Sequence, residues 1–187
     1  MFGIILVLSA IAIGAVWLFN SLVRLSRLAD NAWSDIDVQL KRRHNLVPNL
    51  VEVVKDYKGF ERDTLLKVVE ARGRAVAAQG PSRQGDEEAG LARSLKTLFA
   101  IAEAYPELRA VERYAALQAS LVEIEDAIQD ARRYYNAVVR DLNTKVEQFP
   151  SNLVAAAFRF QRREYFGIEG AEREVVRAGL GGGETGR

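Results

Sequence analysis

A chain of 187 residues is long enough for one domain with a core of its own and one further segment. Its 26 Lys+Arg against 25 Asp+Glu leave almost no net charge and give no electrostatic basis for nucleic-acid binding. The absence of cysteine excludes disulfides, zinc–thiolate sites and thiol catalysis. The abundance of Ala, Leu, Val, Glu and Arg, with only four prolines, favours helix along most of the chain.

The first predicted element is a transmembrane helix from Phe2 to about Phe19, within an anchor segment 1–20. The run holds no charged side chain, and about 18 residues at 1.5 Å each rise roughly 27 Å, close to the hydrocarbon thickness of a bilayer. Ala10-Ile11-Ala12 could pass for a signal-peptidase site, and a buried core helix is a third reading. Two features favour the anchor: no Lys or Arg precedes the run, and the apolar stretch continues past Ala12. Trp17 and Phe19 fall where an aromatic belt lies, and Arg24 and Arg27 follow as headgroup contacts. The positive flank is C-terminal, so the positive-inside rule places the following domain in the cytoplasm.

From Asn20 the helix is predicted to run on to about Ala78, because no glycine occurs before Gly59 and apolar residues recur every three or four positions at Ile36, Leu40, Val47, Leu50 and Val54, then Leu65 and Val68. Pro48 is expected to kink it or to break it in two. Gln79–Gly90 reads as a loop, rich in Gly, Pro, Ser and charge. A second helix is predicted over Asp86–Ala104 and ends at Tyr105-Pro106. The third, about Glu107 to Gln148, carries the strongest pattern: Tyr114, Leu117, Leu121, Ile124, Ile128, Ala131, Tyr135, Val138 and Leu142 form an unbroken seam with a 3.5-residue period. Its expected partner is the stripe on helix one, including Ile36, Leu40 and Leu50; a seam between copies of the chain is the alternative. Helix one above the anchor and helices two and three together each rise about 90 Å. With Tyr105-Pro106 as a kink, the later helices descend along helix one and bring Phe149–Phe160 to the membrane surface. The bundle domain is therefore expected over 21–168, with a disordered tail over 169–187 containing Gly181–Gly183.

No motif in this frame carries catalysis. His44 is the only histidine, so a three-histidine metal site is impossible, and no nucleophile and acid are placed around it for a triad. It reads as a solvated or helix-packed residue. Asp126 and Asp130 share a helical face, as a pair of surface carboxylates commonly does, but the Glu-x-x-His motifs of a di-iron bundle are missing. Lys41-Arg42-Arg43 lies about 30 Å of helix beyond Asn20, too far for headgroups, and is expected to meet carboxylates of a neighbouring helix or a partner. Phe158, Arg159 and Phe160, with Arg162 and Arg163, form an aromatic–basic cluster suited to a membrane surface or to capping the bundle end. No catalytic residue, cofactor site or metal site is assigned.

The run Asn31-Ala-Trp-Ser-Asp-Ile-Asp-Val-Gln-Leu-Lys-Arg-Arg-His-Asn-Leu-Val-Pro-Asn-Leu-Val-Glu-Val-Val-Lys-Asp-Tyr57, followed by Ala104-Tyr-Pro-Glu-Leu-Arg-Ala110, Ala131-Arg-Arg133, Phe149-Pro-Ser-Asn-Leu-Val-Ala155 and Tyr165-Phe166, resembles the LemA family of bacterial membrane proteins. The likeness covers roughly residues 20–166. It implies an all-α chain in which an N-terminal transmembrane helix continues into a long antiparallel helical bundle at the bacterial inner membrane. It implies no activity and no catalytic residues. The function expected is a non-enzymatic scaffold or adaptor whose partners are the lipid bilayer and either further copies of itself or another membrane protein. A regulatory or signalling module at the inner membrane and a metal-binding bundle are the alternatives; little chain precedes the anchor to sense a signal.

Overall fold

A computed structural model describes residues 2–57 and 60–167. The expected tail lies outside the described residues. Among the described residues six α-helices follow one another: α1 Phe2–Lys55, α2 Arg62–Ala77, α3 Pro81–Ala102, α4 Pro106–Arg109, α5 Glu112–Glu147 and α6 Ser151–Ala157. The chain is all-α, as the composition and periodicity predict.

Three boundaries differ from the sequence-based expectation. Helix one does not extend to Ala78: it passes Pro48 as continuous helix and ends at Lys55. The break was hidden because the apolar positions of α2 (Leu65, Val68, Ala71 and Ala75, all buried) continue the three-to-four spacing of α1 in phase. The supposed loop Gln79–Gly90 is mostly helix. Gly80, at φ 81°, supplies a turn that most residues avoid, and Pro81 then occupies the first turn of α3, where its missing N–H is harmless. Gly85 and Gly90 lie inside that helix. Finally, Tyr105-Pro106 belongs to a reversal rather than a kink, with the one-turn α4 between α3 and α5.

The chain divides into two compact units, Met1–Gln39 with Ile128–Glu164 and Leu40–Ala127 with Tyr165–Arg187, each taken here over its described residues. In the first, α1 and α5 run antiparallel. The Lys145 ammonium lies 2.5 Å from Ser21 Oγ, and further along the pair the Trp33 and Tyr135 rings are 5.6 Å apart. Leu22, Ala29, Ala32 and Ile36 are buried on α1, and Ile128, Tyr135, Val138, Val139 and Leu142 on α5. The stretch after α6 is tied to α5 by Asn143. Its amide donates to the Arg163 carbonyl at 2.9 Å and accepts from the Arg163 N–H at 2.8 Å.

The second unit holds the remainder of α1 and α5 with α2, α3 and α4. α2 runs back along α1, with Arg72 beside His44. α3 returns parallel to α1: Glu88 meets Arg43 near its start, and Tyr105 beyond its end meets Tyr57. α5 descends again, Arg113 standing 3.5 Å from Glu52 and Glu125 2.5 Å from Arg43. The premise of one 59-residue helix above the anchor therefore falls, and with it the need for helices two and three to descend together. Val47, Leu50, Val54, Val68, Leu91, Leu98, Leu108, Tyr114 and Leu121 form the core. Burial of this apolar surface is the main favourable term for the unit.

Candidate functional site

The most concentrated polar chemistry lies inside the second unit. Arg43, only 2% exposed, donates from Nη2 to Glu88 and from Nη1 to Glu125 Oε2 at 2.5 Å. His44 Nε2 lies 2.6 Å from Glu88 Oε1, and Gln84 Nε2 donates to the same oxygen at 3.1 Å. Burial alone would push the Glu88 carboxyl up. The hydrogen bond from His44 and the charges of Arg43 and His44 together outweigh it and hold the group below its ordinary value. His44 is thus packed between helices, and Arg43 meets carboxylates on two neighbouring helices. Glu88 is spent on these contacts, so the cluster acts as a clasp joining α1, α3 and α5 in this unit.

A second feature follows from Pro48. In an α-helix the N–H of residue 48 would donate to the carbonyl of residue 44, and proline has none. The Arg72 guanidinium supplies the missing donor: its Nε lies 2.8 Å from the His44 carbonyl oxygen. The helix therefore continues through Pro48 with its freed carbonyl satisfied from α2.

Between α3 and α5 a groove of about 350 Å³ opens, with Phe99, Leu121 and Val122 along it. Arg93 and Lys96 rim it on α3, and Glu125 and Asp126 on α5.

In the first unit three of the residues expected at the membrane interface, Phe19, Phe158 and Phe160, come together. The Phe158 and Phe160 rings lie 4.6 and 5.8 Å from that of Phe19. Lys145 Nζ stands 5.2 Å above the Trp17 ring. Residues 2–17 of α1 are exposed throughout, and the helix is long and apolar enough to cross a membrane, with a mean hydropathy of 2.6 in its most apolar window. Arg24, Arg27 and Arg159 are exposed. Of the seam residues, Ile36, Leu40, Leu50, Tyr114, Leu121, Ile124, Ile128, Tyr135, Val138 and Leu142 are buried, and Leu117 is partly buried against the core.

Glu88, the acid that engages both Arg43 and His44, was missed because its segment read as a loop. Its signal was present: Gly85, Glu88, Leu91, Leu95, Leu98 and Ala102 form one ladder of three- and four-residue steps, in which a glutamate takes a core position.

The sequence pattern of the LemA family matches residues 32–178. The chain belongs to the LemA family. Among its relatives is Magnetosome protein MamQ 2 of Paramagnetospirillum magneticum, 29% identical over 87% of this chain and 70% of that protein. Magnetosome protein MamQ of Magnetospirillum gryphiswaldense is 27% identical over 79% of this chain and 64% of its own length. Protein LemA of Metamycoplasma hominis is 29% identical over 73% and 63%. Neither the family's description nor these names carries an enzymatic activity.

Proposed function

We propose that this LemA-family chain is a membrane-anchored helical scaffold. Phe2–Phe19 crosses the bacterial inner membrane once and the helical bundle stands in the cytoplasm, where it assembles with further copies of itself or docks a membrane protein. The observation that carries the reading is the anchor helix, exposed along its apolar length, whose chain continues as one helix to Lys55. Exposed apolar surface of that extent is stable only in lipid or against protein, and a helix continuous with the chain of the bundle tethers whatever the bundle carries to the membrane.

The α3–α5 groove favours self-assembly as the docking mode. One wall is cationic, through Arg93 and Lys96, and the other carries the Asp126 carboxylate beside Glu125, which Arg43 already holds. Under a two-fold axis each wall meets its opposite, the condition for an isologous contact. Exposed Val122 adds apolar area to the same face. The test is blue-native electrophoresis and in-cell crosslinking after gentle extraction. The parent should migrate as an oligomer, and Lys96→Glu with Arg93→Glu should shift it toward the monomer. A parent that stays monomeric and retrieves no partner on crosslinking removes the scaffold reading.

A further inference from the structure

We propose that α6 and its flanking turns form a second membrane contact, a foot that sits in the headgroup layer and selects anionic phospholipid. The proposal rests on the anchor reading and adds a ligand class to it.

The foot lies at the level where the anchor leaves the apolar layer. Phe158 and Phe160 pack on Phe19, the last residue of the uncharged run, and Lys145 reaches Trp17 and Ser21. Around that point Phe149, Leu153 and Phe158 are 74, 62 and 61% exposed, while the opposite side of α6 is buried through Ser151 and Ala155. The Ser151 hydroxyl lies 2.7 and 2.8 Å from the carbonyls of Lys145 and Gln148, so α6 is fastened to the end of α5. Its apolar side chains are held outward by a fixed backbone beside a helix suited to lipid, and that continuity identifies the occupant as the same bilayer.

Charge selects the lipid. Asp30, Asp141 and Glu147 are already paired, with Arg163 at 2.7 Å, Arg140 at 3.6 Å and Arg162 at 2.8 Å. Arg24, Arg27, Lys145 and Arg159 meet no acid among the described residues. Four cations without counter-charges beside exposed aromatic rings complement an anionic surface. Arg159 adds an independent sign. It stands at φ 59°, just past the end of α6. Its N–H reaches the Ala156 carbonyl, and that of Phe160 the Ala155 carbonyl at 2.9 Å. This is a Schellman cap, whose left-handed position ordinarily takes glycine. An arginine held there, with its guanidinium meeting no acid among the described residues, serves something other than the cap.

The chain has no cysteine, so single nitroxide labels can be placed on the full-length protein in vesicles. Leu153→Cys reports the foot, Phe149→Cys repeats it at a second site, Ile11→Cys reports the anchor and Tyr134→Cys, on an exposed face of α5, reports water. In phosphatidylcholine vesicles containing phosphatidylglycerol, oxygen and nickel-chelate accessibilities should place the Ile11 label deep, the Tyr134 label in water and the foot labels at headgroup depth. Arg159→Gly should leave the thermal midpoint unchanged or higher, yet lower the ratio of immersed to free foot about fivefold, the factor expected per basic residue at an anionic surface. Arg24→Gln and Arg27→Gln should lower it further. Foot labels as water-accessible as Tyr134, with Ile11 deep, overturn the foot alone. Equal immersion in pure phosphatidylcholine overturns the anionic preference. An Ile11 label in water overturns the anchor reading and the foot with it.

Discussion

Tyr114 and Tyr135 occupy the same seam of α5, each about 1% exposed, yet their hydroxyls have opposite standing. Tyr135 donates to the Glu164 carbonyl at 2.9 Å, and burial pushes its phenol up to about 12. The Tyr114 hydroxyl is buried with no hydrogen-bond partner among the described residues. A buried polar group without a partner is destabilising, whereas a paired one contributes about 1 kcal/mol. Tyr135→Phe should therefore lower stability by about 1 kcal/mol, while Tyr114→Phe should leave it unchanged or raise it by up to about 1 kcal/mol. Urea unfolding of both variants checks this, and equal losses would contradict it.

Glu88 gives the pH-dependent counterpart. A carboxyl held below its ordinary value binds fewer protons folded than unfolded. Its stabilisation is present above that ordinary value and is lost as pH falls through the lowered one. Glu88→Gln should cost on the order of 3 kcal/mol at neutral pH, because it strips charge from a site where Arg43 is buried. The gap between variant and parent should narrow as the medium is acidified below about pH 4.5, the ordinary glutamate range. A gap that stays constant from pH 7 to pH 3 would remove Glu88 as the titrating partner. The chemistry of this cluster was legible only in part. Arg43 reads as one of three basic residues seeking carboxylates, but nothing in Lys41-Arg42-Arg43 marks which of the three turns inward.

At the scale of elements, two sites test how helices are joined. The His44 carbonyl lacks its helical donor because residue 48 is proline, and Arg72 on α2 replaces it. Arg72→Met should cost about 1–2 kcal/mol by orphaning that carbonyl. In a Pro48→Ala background, where the helix supplies its own N–H, the same change should cost about 1 kcal/mol less. A double-mutant cycle with no coupling would refute the arrangement.

Glycines inside helices divide in the same way. A Cβ on Gly85 of α3 would lie 2.2 Å from the Gly167 backbone nitrogen, while one on Gly73 of α2 meets nothing within 4 Å among the described residues. Gly85→Ala should destabilise by about 1–3 kcal/mol through overpacking of backbone against backbone. Gly73→Ala should stabilise by up to about 1 kcal/mol through helix propensity. Thermal melts of the two variants moving in the same direction would falsify this reading. The close approach explains why α3 tolerates a glycine near its start. That same glycine is what made the segment look like a loop.

At the scale of the molecule, the proposed cytoplasmic placement of the bundle rests on Arg24 and Arg27, which follow the apolar run. Tyr134→Cys in intact spheroplasts should resist a membrane-impermeant maleimide and label fully after permeabilisation. Labelling before permeabilisation would reverse the topology.

The sequence by itself determined the helical class, the apolar N-terminal helix and the buried faces of α1 and α5. Each of these is a local property, set by composition, by a run of uncharged residues or by a period of three to four. Only the tertiary structure decided where the chain turns back and which charges are buried. The apolar stripes of α1 and α2 stay in phase across the break. Gly85 is excused from its helix penalty by a neighbour 82 positions away along the chain. Glu88 becomes a core residue only because Arg43 and His44 arrive from another helix to satisfy it. Reversals and buried polar groups depend on partners distant in sequence, and no local window contains those partners.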